Sequence, residues 1–210
     1  MNRTQLEELD RTGEDIARLA AARGGAGSAA TAVASASGGI EYRGVAAADG
    51  DAMRSFLTGL SLRTRFLRFF APASPPSPAV LRGMCGGGRT TDALVATHDG
   101  VIVGHAMTAD SLSPEGCLVS DVGVVVADCW QNRGIGSQIL DLVVARATAR
   151  GVSVLVMDVL PENKRMLTMI SRRWPDVGYR FSGDAVTARV YLPGVPAAKG
   201  ACGGADLRAA

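Results

Sequence analysis

The run Val124-Val125-Val126-Ala127-Asp128-Cys129-Trp130-Gln131-Asn132-Arg133-Gly134-Ile135-Gly136-Ser137 constrains the fold more than any other segment. Three β-branched apolar residues end a strand, a short polar turn follows, and a helix starts among glycines. Ile135, Ile139, Leu140, Val143, Val144 and Ala147 then recur at helical spacing over Gly134 to Arg150. A helix start presents backbone N–H groups without intrahelical partners and a partial positive charge, which together bind phosphate. Gly134 and Gly136 let the backbone approach a diphosphate closely, and the Gln131 and Arg133 side chains can add donors. The segment has no Gly-Lys-Ser/Thr of a Walker loop and no G-x-G-x-x-G of a Rossmann turn.

The elements around this segment alternate. Strands are expected at Ile40–Val45, Thr91–Thr97, Gly100–Thr108, Gly116–Val126, Val152–Val159, Gly178–Phe181 and Ala185–Leu192. Helices are expected at Asp49–Leu60, Gly134–Arg150 and Asn163–Arg173. His98-Asp99-Gly100 is a hairpin-turn signal. Pro72, Pro75, Pro76 and Pro78 keep the middle of the segment from Ser61 to Met84 irregular. This order predicts a mixed α/β sheet with helices on both faces. One compact domain spans residues 40–192. Residues 1–39 read as a short amphipathic helix (Thr4 to Arg23) and a small-residue linker, and 193–210 as a disordered tail.

Composition excludes several classes. The formal net charge of +2 argues against a dedicated nucleic-acid binder, and no apolar run is long enough for a membrane span. The N-terminus is charged from the start and lacks a signal-peptide pattern, so a cytoplasmic protein is expected. Cys85, Cys117, Cys129 and Cys202 have no metal-type spacing and are expected to be reduced thiols. With only two histidines, a metal site or Ser-His-Asp triad is poorly supported, and His105 is expected to be a satisfied strand residue. Arg63, Arg65 and Arg68 are expected to be a charged, salt-bridged helix surface; anion recognition is the alternative.

Gln131-Asn132-Arg133-Gly134-Ile135-Gly136 resembles the acetyl-CoA signature Q/R-x-x-G-x-G/A of the GNAT (GCN5-related N-acetyltransferase) superfamily. More narrowly, the chain is similar to the catalytic domain of bacterial Pat-type protein lysine acetyltransferases. That likeness rests on Leu60-Ser61, Arg68-Phe69-Phe70, Ala93 to Ala96, Val126 to Gln131 and Val159 to Leu167, and runs from about Ile40 to Leu192. It implies a mostly antiparallel central sheet, flanked by helices, in which the strand before the signature splays from its neighbour and pairs with the pantetheine arm of acetyl-CoA. Val124, Val125 and Val126 would lie along that arm, with the Val124 N–H as donor to the thioester carbonyl. Gln131 to Ser137, including Ile135, would hold the diphosphate, and Asn163 would sit near the cofactor arm. No metal is implied.

An amine must be neutral to attack a thioester, whereas a lysine ammonium with pKa near ~10.4 is mostly protonated at neutral pH. A nearby carboxylate can take that proton. Asp121, on the strand leading into the signature, is the candidate base; the Pat-like pattern usually has Glu there. Many GNAT enzymes place a tyrosine acid at the position that is Ile170 here, so water is expected to protonate the leaving thiolate, with Tyr179 a weaker candidate. The resemblance thus implies direct acetyl transfer from acetyl-CoA to a protein lysine, an acyl-CoA synthetase being the partner it suggests. A small-molecule amine acetyltransferase and a non-catalytic acyl-CoA-sensing domain are the alternatives.

Overall fold

The computed structural model describes residues 39–71, 77–86 and 88–193. The helix and linker expected before residue 39 and the tail expected after 193 lie outside the described residues.

Seven strands form one sheet in the order β1-β2-β3-β4-β5-β7-β6. They are β1 (Ile40–Gly44), β2 (Thr91–His98), β3 (Val101–Leu112), β4 (Leu118–Val126), β5 (Val154–Val159), β6 (Gly178–Ser182) and β7 (Ala185–Tyr191). Every neighbouring pair is antiparallel except β4 and β5. β2 and β3 are joined at Asp99 and Gly100, both at positive φ, which matches the twist of a tight hairpin. β3 runs four residues beyond its expected end at Thr108, because its pairing with β4 continues from Gly104 to Leu112.

Helices cover both faces, as the pattern predicts. α1 (Gly50–Gly59) and α3 (Pro78–Met84) bury Met53, Phe56, Leu57, Leu81 and Met84 on one face. There they meet Val95, Ile102, Met107 and Val125 from the sheet. α4 (Ile135–Ala149) and α5 (Lys164–Arg173) cover the other face, against Leu94, Ala106, Val122, Leu155 and Met157. All six apolar residues read as inward on α4 are buried. α2 (Leu62–Phe69) and α3 occupy the segment expected to be irregular in its middle; each begins at a capping serine, Ser61 and Ser77. The far end of α4 is tied to the sheet by ion pairs. Arg146 and Arg150 both bind Asp92, and Arg150 Nε donates to Asp110 Oδ2 at 2.8 Å.

Candidate functional site

β4 positions the site because it has different partners along its two edges. Toward β3 it pairs over its whole length. Toward β5 it pairs only from Val119 to Asp121, opposite Val154 to Val156. Both strands continue past that point, so they splay apart from Asp121 onward. The ladder phase then decides which backbone groups face the opening. The Ala127 N–H donates to Val103 O at 2.9 Å, so every second residue back along β4 bonds to β3. The backbone groups of Val122, Val124 and Val126 therefore face the β5 side. Two bonds agree with this phase: Leu118 O accepts from the Ser153 N–H at 2.9 Å, and Val126 O accepts from Gln131 Nε2 at 3.1 Å. The Val124 N–H thus faces the gap where β5 has moved away, a place where an extended amide chain can pair as a strand would.

The opening leads into a cleft of about 1220 Å³ walled by β4, α2, α5 and the start of α4. Val124, Val125, Val126, Gln131, Asn132, Gly134, Gly136, Ser137 and Asn163 all line it. α4 begins at Gly134, which has φ 80° and ψ −9°, a left-handed conformation that suits glycine. No side chain caps this helix, whereas Ser61, Ser77 and Asn163 cap α2, α3 and α5. Its first N–H groups, those of Ile135, Gly136 and Ser137, face the cleft end without intrahelical acceptors. At Gly136 an added Cβ would only reach ordinary contact with Val126, 3.6 Å away, so its bareness serves the cleft rather than the packing. Lys164, Arg165, Arg172 and Arg173 add a cationic wall along α5. An extended amide arm ending in a diphosphate fits this arrangement of unpaired strand amides, uncapped helix start and cations.

Several expected contributors have other work. Ile135 is 3% exposed and belongs to the core; only its backbone is available to the cleft. Arg133 does not line the cleft and stacks over Trp130, 4.6 Å from the ring centroid. Gln131 is not a spare phosphate donor. Its Nε2 donates to Val126 O and to Thr64 Oγ1, and its Oε1 accepts from Arg165 Nη1 at 2.6 Å, so it latches β4 to α2 and α5. Asn163 Oδ1 accepts from the Met166 N–H at 3.2 Å as the α5 cap. Ile170 is fully buried and has no acidic proton to give. The Tyr179 hydroxyl shares a 2.7 Å hydrogen bond with Ser171 Oγ and does not line the cleft.

Asp121 stands where β4 and β5 part, on the sheet face away from α4. Its side chain is exposed to solvent and is not among the residues that line the cleft. Its pKa is nevertheless raised to about 6, burial contributing most and the Asp158 carboxylate on β5 adding repulsion. That value suits a group that must accept a proton near neutral pH.

The stretch from Leu60 to Phe70 builds the opposite wall. Asp128 accepts from the Ser61 N–H, Ser61 Oγ and Thr64 Oγ1 at 2.7–2.9 Å, which docks α2 onto the β4–α4 turn. Burial pushes the Asp128 pKa up, but those bonds outweigh it and hold the carboxylate below its usual range. The expectation of salt bridging fails here: among the described residues Arg63, Arg65 and Arg68 form no ion pair. Arg68 instead lies on Gly123, where an added Cβ would overlap its guanidinium. Its Nε is buried without a partner, and burial lowers its pKa to about 10, so it remains a cation.

His105 is fully buried and only half satisfied. Its Nε2 donates to Met84 O at 2.8 Å, while Nδ1 has no partner. Burial chiefly, with Arg68 nearby, lowers its pKa to about 4, so it is neutral. The thiol expectation is corrected at Cys117, which is disulfide-bonded; Cys85 and Cys129 are free, and Cys202 lies outside the described residues. No helix among the described residues is long and apolar enough to cross a membrane, and no cluster of side chains there is fit to hold a metal ion.

A splayed parallel pair beside an uncapped, glycine-rich helix start defines a coenzyme A-dependent acyltransferase site. The acetyltransferase (GNAT) family model matches residues 61–172, and the chain belongs to that family: it is an acetyl-CoA-dependent acetyltransferase. No curated protein matches it by sequence. The fold is similar to the GNAT domain of S. lividans PAT, at 22% identity and TM-score 0.66, covering 78% of this chain and 97% of that one. It also resembles Arabidopsis thaliana Naa50 in complex with the bisubstrate analogue CoA-Ac-MVNAL, at 12% identity and TM-score 0.55, covering 73% and 99%. A third likeness is to yncA from Salmonella typhimurium with its cofactor acetyl-CoA, at 16% identity and TM-score 0.55, covering 74% and 95%.

Proposed function

We infer that the protein acetylates lysine side chains of other proteins by direct transfer, with Asp121 as general base and the Val124 N–H as donor to the thioester oxygen. The observation that carries this reading is the end of β4–β5 pairing at Asp121. It leaves a carboxylate with pKa about 6 at the mouth of the gap, and three residues further along the strand a backbone amide that faces into it. Acetyl-CoA supplies the activated acetyl group. Val124 and Val126 would hold its arm by strand-like pairing. The N–H groups of Ile135 to Ser137 would hold the diphosphate, and Lys164, Arg165 and Arg172 its remaining charge.

Asp121 takes a proton from the lysine ammonium, directly or through one water, because its side chain is one methylene shorter than Glu. The freed nitrogen attacks the thioester carbon; the C–N bond forms and the C–S bond breaks. Charge developing on the carbonyl oxygen would be met by the Val124 N–H, which the ladder phase already turns into the gap. The second proton on the attacking nitrogen passes through water to the departing thiolate, leaving the neutral amide and coenzyme A thiol, since neither Ile170 nor Tyr179 offers an acid at the cleft.

The low aromatic content, 5%, supports a protein acceptor over a small cation held in an aromatic cage. The likeness to Naa50, whose analogue joins CoA to a peptide, agrees. An acyl-CoA synthetase is the partner suggested by the Pat-type resemblance, in a cytoplasmic setting where acetyl-CoA is available. The bonded Cys117 is the one feature unusual for that compartment. The deciding experiment is coenzyme A release over a panel of proteins and small amines, with mass spectrometry of acetylated lysines. Far higher kcat/KM on a free small amine than on any protein lysine replaces this reading with small-molecule acetylation. Binding of acetyl-CoA without turnover replaces it with acyl-CoA sensing.

A further inference from the structure

The mechanism leaves one group beside the reacting centre unused. Arg68 reaches from α2 across the cleft wall onto the face of β4 that carries Asp121, and settles on Gly123. Glycine there is a steric requirement: any side chain would displace the guanidinium. The seat is therefore built for this cation, yet nothing among the described residues neutralises it. Among the described residues Arg68 forms no hydrogen bond or ion pair, its Nε is buried and unpartnered, and its one ring contact there is its own neighbour Phe69 at 5.3 Å. Asp121 is two residues along the strand but forms no ion pair with it. His105, beneath, is neutral and donates its N–H to Met84. The side chain is half-buried with its Nε cut off from water, and such a donor left unpaired is costly unless a ligand completes it.

The diphosphate of acetyl-CoA is in the wrong place to do so. The helix start that would hold it lies beyond Val126, three residues further along β4, or about 10 Å at strand rise. What does reach Gly123 is the acceptor, because its amine must come between Asp121 and the Val124 amide. The geometry points to Arg68 as the receptor for a carboxylate that the acceptor carries close to its reacting amine. This rests on the acetyl-transfer reading above and narrows its substrate class. The carboxylate has two sources: an Asp or Glu side chain flanking a target lysine, or the carboxylate of a free amino acid.

The test compares matched acceptors. One arm uses lysine peptides with Asp or Glu beside the lysine against the same peptides with Asn or Gln. The other uses free amino acids against their amides. Wild type is expected to favour the carboxylate member of at least one arm by about 10–100-fold in kcat/KM, the range for a charge-assisted, two-pronged contact. The arm showing the ratio identifies the source. R68Q should bring the pair within about twofold, and R68K, which keeps the charge but loses the fork, should fall between. Melting curves establish that both variants fold. A wild-type ratio near one, a ratio that survives R68Q, or an equal loss on both members overturns the assignment while leaving acetyl transfer standing. If wild type turns over no amine, the functional reading fails instead. The carboxylate site is then judged by titrating an N-acetylamino acid into the protein with and without coenzyme A. Heat in wild type that R68Q abolishes supports it; none in wild type overturns it.

Discussion

Replacing Asp121 by Asn removes the base and leaves the shape of the site. The magnitude follows from two ionisations. With a pKa of about 6, Asp121 is roughly nine-tenths ionised at pH 7 and one-tenth at pH 5. The sign is set by the upward shift: the active carboxylate is gained as pH rises through about 6. If Asp121 accepts the ammonium proton, wild-type kcat/KM rises tenfold per pH unit below about 6 and is flat above it. Without the base, only the acceptor fraction already neutral reacts. For a lysine of pKa ~10.4 that is about one part in 2,500 at pH 7. D121N should then lose on the order of 10³-fold at pH 7, inside the usual 10²–10⁴ range for general-base removal. Its profile should climb tenfold per unit without a break near 6, so the deficit narrows as pH rises. The assay is coenzyme A release on a lysine peptide at saturating acetyl-CoA from pH 5 to 9.5, with acetyl-CoA affinity measured in parallel. A wild-type profile of unit slope across the whole range, or a break near 6 that persists in D121N, refutes the reasoning.

Gly134→Val forces a β-branched side chain to φ 80° at the proposed diphosphate seat, so acetyl-CoA affinity by calorimetry should fall at least tenfold; unchanged affinity places the diphosphate elsewhere. No heat for coenzyme A or acetyl-CoA with folded wild-type protein sinks the cofactor reading altogether. Asp128→Ala removes three bonds to α2 and should cost about 1–3 kcal/mol by urea titration, with faster exchange of the α2 amides. Asp110→Ala leaves Arg150 without one of its two carboxylates and Ser120 Oγ without its acceptor. It should destabilise by about 2–4 kcal/mol with no change in acetyl-CoA affinity, because that network lies at the opposite end of α4.

The family and the frame of the site were legible because they are written in neighbouring residues. The spacing of Ile135, Ile139, Leu140, Val143, Val144 and Ala147 specifies the buried stripe of α4. The glycines before it specify an uncapped helix start, and Asp99-Gly100 specifies a hairpin turn. Each follows from backbone geometry and side-chain period over a few residues, so the strands, three of the five described helices and the glycine-rich turn could be placed from the chain alone; α2 and α3, in the proline-interrupted segment, could not. Tertiary packing decided what each polar side chain does. Whether Gln131 meets a phosphate or latches three elements depends on Thr64 and Arg165, brought to it by α2 and α5. Whether Arg68 is a free surface charge or a half-buried cation without a partner among the described residues depends on Gly123, on a different element. The pKa of Asp121 depends first on burial and then on Asp158, across a strand boundary whose pairing ends at Asp121 itself. Periodicity records which face of an element is apolar; it carries no information about which distant side chain will stand opposite a given charge, and there the sheet and its helices decided.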